Sequence, residues 1–410
     1  MKGGNTMSMK PQIQNDVSLE NKSTTSILQV LKSNMRQYGM FFALVLIILL
    51  FQLLTEGILL KPLNITNIIL QNSYILVLAI GMVLVIITGH IDLSVGSIAA
   101  FVGAISGILI INHNIPTILA ILICLIIGAV IGAWQGFWIA YVKIPAFIVT
   151  LAGMLLFRGA TMLVLDGQSI APYPKSFQGI SSGFIPDPIG NGGLHILTIL
   201  LGLVFSIIYI LMEQRNRKNQ LRYDFEVSSN GLYIGKLVGI VALINIFTYV
   251  LATYEGIPTI LIILFTLILL YTFVMKKTVM GRHVYAIGGN EKAASLTGVK
   301  TKKVTFLVFV NMGVLSALSG IIFAARLNAA TPKAGNLFEL DAIAACFIGG
   351  ASAYGGIGTV GGAIVGGLVM GVMNNGMSLM GLGIDWQQGI KGLVLLLAVA
   401  FDIYNKNKAS

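Results

Sequence analysis

Cysteine, histidine and charged residues are all scarce in this chain of 410 residues. It contains two Cys and four His, and only 10% of its residues are charged, against about 25% in an average soluble domain. Cys124 and Cys346 lie in separate apolar segments without partners at metal-ligand spacing, so we expect them to be packing residues. The composition therefore argues against a soluble domain and against a cysteine-based redox or metal site.

The motifs that carry common catalytic chemistry are absent from the sequence. There is no Gly-x-x-x-x-Gly-Lys-Ser/Thr phosphate loop, no His-Glu-x-x-His pair and no Gly-x-Ser-x-Gly elbow. The histidines are scattered, and none has a second His or a Cys at ligand spacing. We therefore expect no catalytic residue, no metal site and no cofactor in this chain.

Hydrophobic residues make up 56% of the chain. They recur in runs long enough for a helix to span a bilayer, which takes roughly 20 residues. The runs predict an all-α polytopic membrane protein with about twelve transmembrane helices. The predicted segments are 39–56, 66–88, 95–111, 117–140, 145–165, 194–212, 237–254, 257–275, 304–324, 340–354, 359–380 and 386–403. Segment 340–354 is short, and it is either spanning or re-entrant.

The distribution of Lys and Arg predicts the orientation, because cytoplasmic loops retain cations. With the N-terminus in the cytoplasm, 20 of the 26 Lys and Arg residues fall on cytoplasmic segments. Topology then explains the net charge of +11, and we expect no nucleic-acid partner. The predicted protein lies in the cell membrane and has one transmembrane domain, residues 39–404, between cytoplasmic tails at 1–38 and 405–410. Within that domain, segments 213–236 and 276–303 are predicted to be cytoplasmic.

A carboxylate interrupts two apolar runs in the sequence Gly-His-Ile-Asp-Leu-Ser-Val-Gly at 89–96. A charge at the bilayer centre costs roughly 2.5–3.5 kcal/mol on insertion scales, so it needs a stabilising partner. Asp92 or Ser94 is expected to cap the following helix by accepting its free amide hydrogens. The break either lines a transport path, as broken helices do in transporters, or forms a tight turn in which Asp92 serves only as a cap.

Segment 349–371 is unusually rich in glycine, with 10 Gly among 23 residues. Gly358, Gly362 and Gly366 recur at four-residue spacing, which predicts a smooth helix face for close packing. Residues 349–356 weakly resemble the Gly-x-x-x-x-Ser rhythm near Asp92. This echo favours an internal duplication, a construction common in transporters.

Amide side chains occur in the two apolar segments that follow. They are Asn374, Asn375, Gln387 and Gln388. Amides suit hydroxyl-rich ligands, so these four residues join Asp92 and Ser94 as candidates for the translocation path. Hydrogen bonds between helices explain them equally well.

A polar island punctuated by glycine, residues 281–298, separates two long apolar runs. Its sequence is Gly-Arg-His-Val-Tyr-Ala-Ile-Gly-Gly-Asn-Glu-Lys-Ala-Ala-Ser-Leu-Thr-Gly. We expect a short amphipathic helix here that contacts another protein. The alternative is a basic loop that only enforces topology.

Several motifs carry a resemblance that covers residues 40–404. They are Gly-x-Ile-Asp-Leu-Ser-Val-Gly at 89–96, Phe-Arg-Gly at 157–159, Ala-Ile-Gly-Gly-Asn-Glu-x-Ala-Ala-x-Leu-x-Gly at 286–298, the glycine-rich run 349–367 and Gln-Gln-Gly-Ile-Lys-Gly at 387–392. In this order they resemble the permease subunits of bacterial ABC importers for monosaccharides, the ribose, xylose and multiple-sugar group. Two features are similar to those of the xylose and multiple-monosaccharide members. They are His90 and the additional basic linker and span at about 213–256.

The resemblance implies an architecture and a set of partners. It implies an inverted repeat of the type II importer kind, a second permease copy, an external sugar-binding protein, and a cytoplasmic ATPase subunit that holds ATP and Mg²⁺. It also implies that the island is the coupling helix that seats on the ATPase, ended by a C-cap glycine. The residues assigned to this contact are Arg282, Gly288, Gly289, Asn290, Glu291, Ala293, Ala294, Leu296 and Gly298.

An ion-coupled sugar transporter is the alternative function. It needs a relay of membrane acids or histidines, whereas Asp92 reads as nearly alone, with Glu56 and Glu255 near span ends. A membrane-embedded enzyme would need a nucleophile or a metal set, and the sequence offers neither. No set of side chains in the sequence distinguishes a pentose from a hexose.

Overall fold

A computed structural model describes residues 35–409 except 189, 191, 192, 224, 226 and 228. The first 34 residues of the predicted N-terminal tail lie outside this range. The described helices are α1 (Met35–Leu54), α2 (Pro62–Ile87), α3 (Val95–Gly107), α4 (Thr117–Ala140), α5 (Ala146–Leu165), α6 (Lys175–Ser182), α7 (Ile196–Arg222), α8 (Asn230–Ala252), α9 (Thr259–Lys277), α10 (Val279–Gly289), α11 (Glu291–Leu296), α12 (Thr301–Leu327), α13 (Phe338–Ile348), α14 (Val360–Leu379) and α15 (Ile384–Ala409). A π-helical turn, Ile108–Asn112, extends α3.

The predicted all-α class is confirmed. Within the described residues, strand-like pairing is limited to two isolated bridges, Ile170 with Ala330 and Phe184 with Pro258. Nine of the described helices are long and apolar enough to cross a membrane, and the apolar part of α1, Gly39–Leu54, is shorter. The chain is therefore a multi-pass membrane protein, and the total of twelve crossings stays a prediction.

The tenth predicted segment, 340–354, is not a continuous spanning helix. The helix α13 has 11 residues, which at 1.5 Å per residue is about 17 Å long, against about 30 Å of hydrocarbon. The helix α13 and the stretch after it both lie along α2, because Cys346 Sγ of α13 contacts Ala79 O and Gly356 N donates to Ile87 O. The segment is thus a short helix between two irregular stretches.

Two boundaries differ from the sequence prediction at the basic linker 213–236. The helix α7 continues ten residues past the predicted end at Met212, to Arg222, and α8 begins at Asn230 rather than at 237. Residues 213–222 are mostly Glu, Gln, Arg, Lys and Leu, which are strong helix formers. Loss of hydrophobicity therefore marks the end of the apolar run, and it does not mark the end of the helix.

The bundle core consists of α2, α3, α12 and α14, which are the most buried of the spanning helices. Small residues allow close approach there: a Cβ at Gly132 would overlap Phe309 O of α12, and one at Gly320 would overlap Ala99 O of α3. The pair α7 and α8 packs mainly on itself and is among the least buried parts of the described chain.

The bundle has two ends, which we name by their loops. The island end carries residues 88–94, 141–145, 278–300 and 349–359, which contact one another. The far end carries residues 55–61, 166–195, 328–333 and 380–383. The predicted cytoplasmic segment 276–303 thus lies at the island end, together with Lys143.

Candidate functional site

The helix break at 88–94 lies between α2 and α3 and holds a buried carboxylate. Asp92 is 1% exposed, and its Oδ1 accepts hydrogen bonds from Ser94 N at 2.9 Å and Ser94 Oγ at 2.6 Å. Ser94 occupies the N-cap position of α3, but its side chain makes no capping bond. The expected cap therefore takes another form: Asp92 stabilises the turn before the helix and does not accept from the first helical amides.

A neighbouring helix completes the polar contacts of the break. Gln135 of α4 is buried, and its Nε2 donates to Ser94 Oγ at 2.8 Å. Burial raises the pKa of Asp92 from 3.8 to about 6, and the hydrogen bonds from Ser94 oppose that shift. Sequence reasoning missed Gln135, although a lone amide in the apolar run 117–140 is a signal for a buried partner.

The island folds as two short helices joined at Asn290. The Asn290 side chain accepts from Ala293 N at 2.9 Å and caps α11. Gly298 follows the end of α11 with φ +88°, and Val299 N bonds back to Ala294 O. The island thus contains a short helix followed by a glycine in the left-handed conformation, which glycine adopts without the steric cost of a Cβ.

The surface of the island differs in part from the prediction. Leu296 is 89% exposed, whereas Ala294 is 5% exposed and packs within this chain. Ala294 therefore does not face a partner, and a bulky residue there would disturb this protein's own packing. The exposed members of the predicted set are Arg282, Gly289, Asn290, Glu291, Ala293, Leu296 and Gly298.

The island touches the helix break directly. A Cβ at Gly288 would overlap Ile87 O and Gly356 N, so Gly288 is a packing residue inside the chain. Tyr285 Oη donates to Gly358 O at 2.7 Å. The island is thereby joined both to the end of α2 and to the stretch that precedes α14.

An ion pair links the island to the loop between α4 and α5. Lys143 Nζ lies 2.9 Å from Glu291 Oε1, and this hydrogen bond lowers the pKa of Glu291. The two residues line a cavity of about 360 Å³ together with His90. Burial lowers the pKa of His90, which favours the neutral ring.

The predicted amides lie at the opposite end of the molecule from Asp92. Asn375 Nδ2 donates to Asn64 Oδ1 at 3.0 Å, and Asn64 Nδ2 donates to Asn375 Oδ1 at 2.8 Å. Gln387 Nε2 donates to Leu382 O, while Gln388 is exposed and Asn374 Oδ1 is buried without a partner. Asn375 and Gln387 thus bond within the bundle, as the helix-to-helix alternative expects. The structure does not bring the four amides together with Asp92 and Ser94.

Two of the three predicted ridge glycines, Gly362 and Gly366, lie at a close approach between helices. A Cβ at Gly362 or Gly366 of α14 would overlap a backbone oxygen of Gly349 or Ala345 respectively, so α13 and α14 pack closely. Gly358 is not on the ridge, because it precedes α14 with φ +158° and faces the Ile87 side chain.

Charged residues buried in the bundle are more numerous than the sequence prediction allowed. The prediction that Asp92 is nearly the lone acid inside the bundle is wrong, because two further acids lie there. Glu339 is 5% exposed, and Asp341 Oδ1 forms an ion pair with Lys391 Nζ at 3.1 Å. Arg158 Nη1 and Nη2 donate to Ala334 O and Gly335 O, at 2.8 and 3.2 Å. Among the described residues, no group of three or more His, Cys, Asp or Glu could hold a metal ion.

Broken helices inside a multi-pass bundle are a feature of membrane transporters. The chain belongs to the family described as branched-chain amino acid transport system / permease component, which matches residues 64–399.

Individual relatives match over nearly the whole chain. The xylose transport system permease protein XylH of Haemophilus influenzae is 40% identical over 375 residues, 92% of this chain and 98% of that protein. XylH of Escherichia coli K12 is 37% identical, over 92% of this chain and 94% of that protein. The ribose import permease protein RbsC of Bacillus subtilis is 34% identical, over 90% and 93%. No solved structure matches the chain.

Proposed function

We propose that this chain is the transmembrane subunit of an ATP-driven ABC importer and forms the path for a monosaccharide, either xylose or several pentoses and hexoses. The observation that carries the proposal is the identity of 37–40% to xylose permeases over 92% of the chain. The similarity to a ribose permease supports monosaccharides as the substrate class.

The island is the proposed contact with a separate ATPase subunit. It is a surface helix pair outside the spanning segments, and its most exposed apolar residue is Leu296, at 89%. This apolar side chain lies outside the bilayer, so its surface is available for burial against a partner. Small and polar neighbours, Ala293 and Asn290, leave room for a groove to close around it.

Movement of the ATPase would reach the bundle through contacts that are already present. The island contacts the end of α2 at Gly288 and the stretch before α14 at Tyr285. Asp92 lies five residues after the end of α2, and α3 starts three residues further on. A displacement of the island therefore acts on the helix break, where irregular backbone can change conformation without unwinding a complete helix.

ATP and Mg²⁺ belong to the partner in this proposal, and the chain is a non-catalytic translocation subunit. An external sugar-binding protein delivers the sugar at the far end, and a second copy of this chain completes the channel. The island end faces the cytoplasm, as the concentration of Lys and Arg in 213–236 and 276–303 favours.

Reconstitution with omission of single components tests the proposal. Vesicles that hold this chain, its cognate ATPase and its binding protein should accumulate D-xylose or another monosaccharide, and omission of any one component should abolish accumulation. Purified alone, the chain should neither bind nor hydrolyse ATP. Full sugar accumulation by the chain without the ATPase would contradict the proposal and favour the ion-coupled alternative.

A further inference from the structure

Two interrupted helices meet inside the bundle, at the starts of α3 and α13. Their backbones are in contact, because a Cβ at Gly96 would overlap Gly335 O and a Cβ at Gly335 would overlap Gly96 O. The positive ends of both helices therefore point into one region. In transporters, pairs of half-helix starts of this kind face polar ligand groups.

A carboxylate oxygen without a hydrogen-bond partner lies at this meeting point. Glu339, in the first turn of α13, is 5% exposed, and its Oε2 has no hydrogen-bond partner among the described residues. The same oxygen would overlap a Cβ at Gly96, so it points toward the start of α3. A buried oxygen that accepts no hydrogen bond is costly, which makes this oxygen a candidate acceptor for a ligand.

The surroundings of Glu339 suit a ligand with hydroxyl groups. Arg158 adds a positive charge near this carboxyl group, and Asp92 and Asp341 add negative charges. A hydroxyl group bonds to a carboxyl group in either charge state, because it donates to an ionised oxygen and accepts from a protonated one. Phe338, the preceding residue, packs against Tyr74 with ring centroids 4.5 Å apart and against Phe323 at 5.0 Å. These rings pack on one another and form an apolar wall beside the carboxyl group, which raises the cost of leaving its oxygen unpaired.

We propose that Glu339 is a sugar-contact residue of the translocation path, where its Oε2 forms a hydrogen bond with a ligand hydroxyl group. This inference rests on the proposed function and adds a residue to it. The two backbones close the site in this structure. Access requires the non-helical stretch 328–337 to move away from α3, and Arg158 holds that stretch through two carbonyl oxygens.

The test is a comparison of sugars in reconstituted vesicles that contain the ATPase and the binding protein. Uptake of D-xylose is measured beside uptake of its 2-deoxy, 3-deoxy and 4-deoxy analogues, for the wild-type chain, Glu339→Ala and Glu339→Gln. The ratio of xylose to each analogue is taken within one preparation, so the abundance of a variant does not affect it. The binding protein is the same throughout, so its preference cancels between the wild-type and variant complexes.

We expect Glu339→Ala to lower xylose uptake by about tenfold or more, which is the effect of losing a hydrogen bond to a charged group. The analogue that lacks the contacted hydroxyl should lose much less, so its ratio to xylose changes by about tenfold. Glu339→Gln fills the same volume, keeps one acceptor and should change the ratio in the same direction by less. Glu255→Ala, which removes an exposed carboxylate, should leave every ratio unchanged.

An equal loss for all four sugars would overturn the inference and assign Glu339 a structural role. Unchanged uptake of all four would overturn it as well. Neither result touches the proposed function, which fails on a different observation, namely that the wild-type complex accumulates no sugar with ATP.

Discussion

Leu296 offers the sharpest perturbation of the proposed ATPase contact. It lies at the end of α11 and is 89% exposed, so its truncation removes little from the fold of this chain. Leu296→Ala should therefore leave insertion and thermal stability unchanged. Its effect should be seen only when the ATPase subunit is present.

The expected magnitude follows from the apolar surface that Leu296 exposes. Complete burial of a leucine side chain contributes about 1.5–3 kcal/mol, and nearly all of its surface is available for a partner. Truncation to alanine should cost about 2 kcal/mol of association free energy. That loss corresponds to a dissociation constant for the ATPase about 30-fold higher.

The assay is titration of the purified ATPase onto the permease in nanodiscs, followed by sugar uptake in vesicles. Leu327→Ala is the matched control, because Leu327 is 45% exposed and ends α12 at the far end of the bundle. The control should bind the ATPase as the wild-type chain does. Wild-type affinity and uptake for Leu296→Ala would refute the assignment of the island surface.

Four further predictions concern three residues whose geometry is now defined. The Gly298→Val variant should insert normally but lose uptake, because the backbone angle φ of +88° at this position costs a β-branched residue on the order of 1 kcal/mol or more. The control is Gly239→Val, on the exposed face of α8. Normal uptake by the Gly298 variant would contradict the coupling role. Asp92→Asn keeps an acceptor for the Ser94 amide and hydroxyl groups, whereas Asp92→Leu leaves both unpaired, at a cost of about 1–3 kcal/mol. The Leu variant should therefore impair uptake more than the Asn variant. Equal impairment at normal abundance would count against this account. Because the folded-state pKa of Asp92 is raised from 3.8 to about 6, the melting temperature of the wild-type chain should fall relative to Asp92→Asn as pH rises through that window. Asn375→Ala should lower the stability by about 1–3 kcal/mol, because it leaves Asn64 without its amide partner. The double variant Asn64→Leu with Asn375→Leu should lower the stability less, because no amide is left unpaired. A thermal melt that ranks the two variants in reverse would argue against the reciprocal pair.

The positions of the spanning helices were predictable from the sequence, because an apolar run must be helical in a bilayer. The predicted segment 117–140 coincides with Thr117–Ala140, and 145–165 differs from Ala146–Leu165 by one residue. Gly298 was predictable for a similar local reason, since a glycine after a short helix marks its C-terminal stop.

Other features depended on tertiary contacts that no local pattern contains. The helix α11 has only six residues, too few for periodicity to show that Ala294 faces inward. The partner of Asn375 is 311 residues away in the chain, so the sequence left ligand binding and helix pairing open. Glu339 lies one residue before the predicted segment 340–354 and reads as a loop acid, although the fold buries it.

The most direct test of the central claim is the energy source of sugar uptake. Vesicles that contain this chain, its ATPase and its binding protein are loaded either with ATP or with a proton or sodium gradient, and D-xylose accumulation is followed over time. We predict accumulation with ATP that persists when ionophores dissipate both gradients, and none with a gradient alone. Accumulation that follows the gradient and ignores ATP would contradict the account.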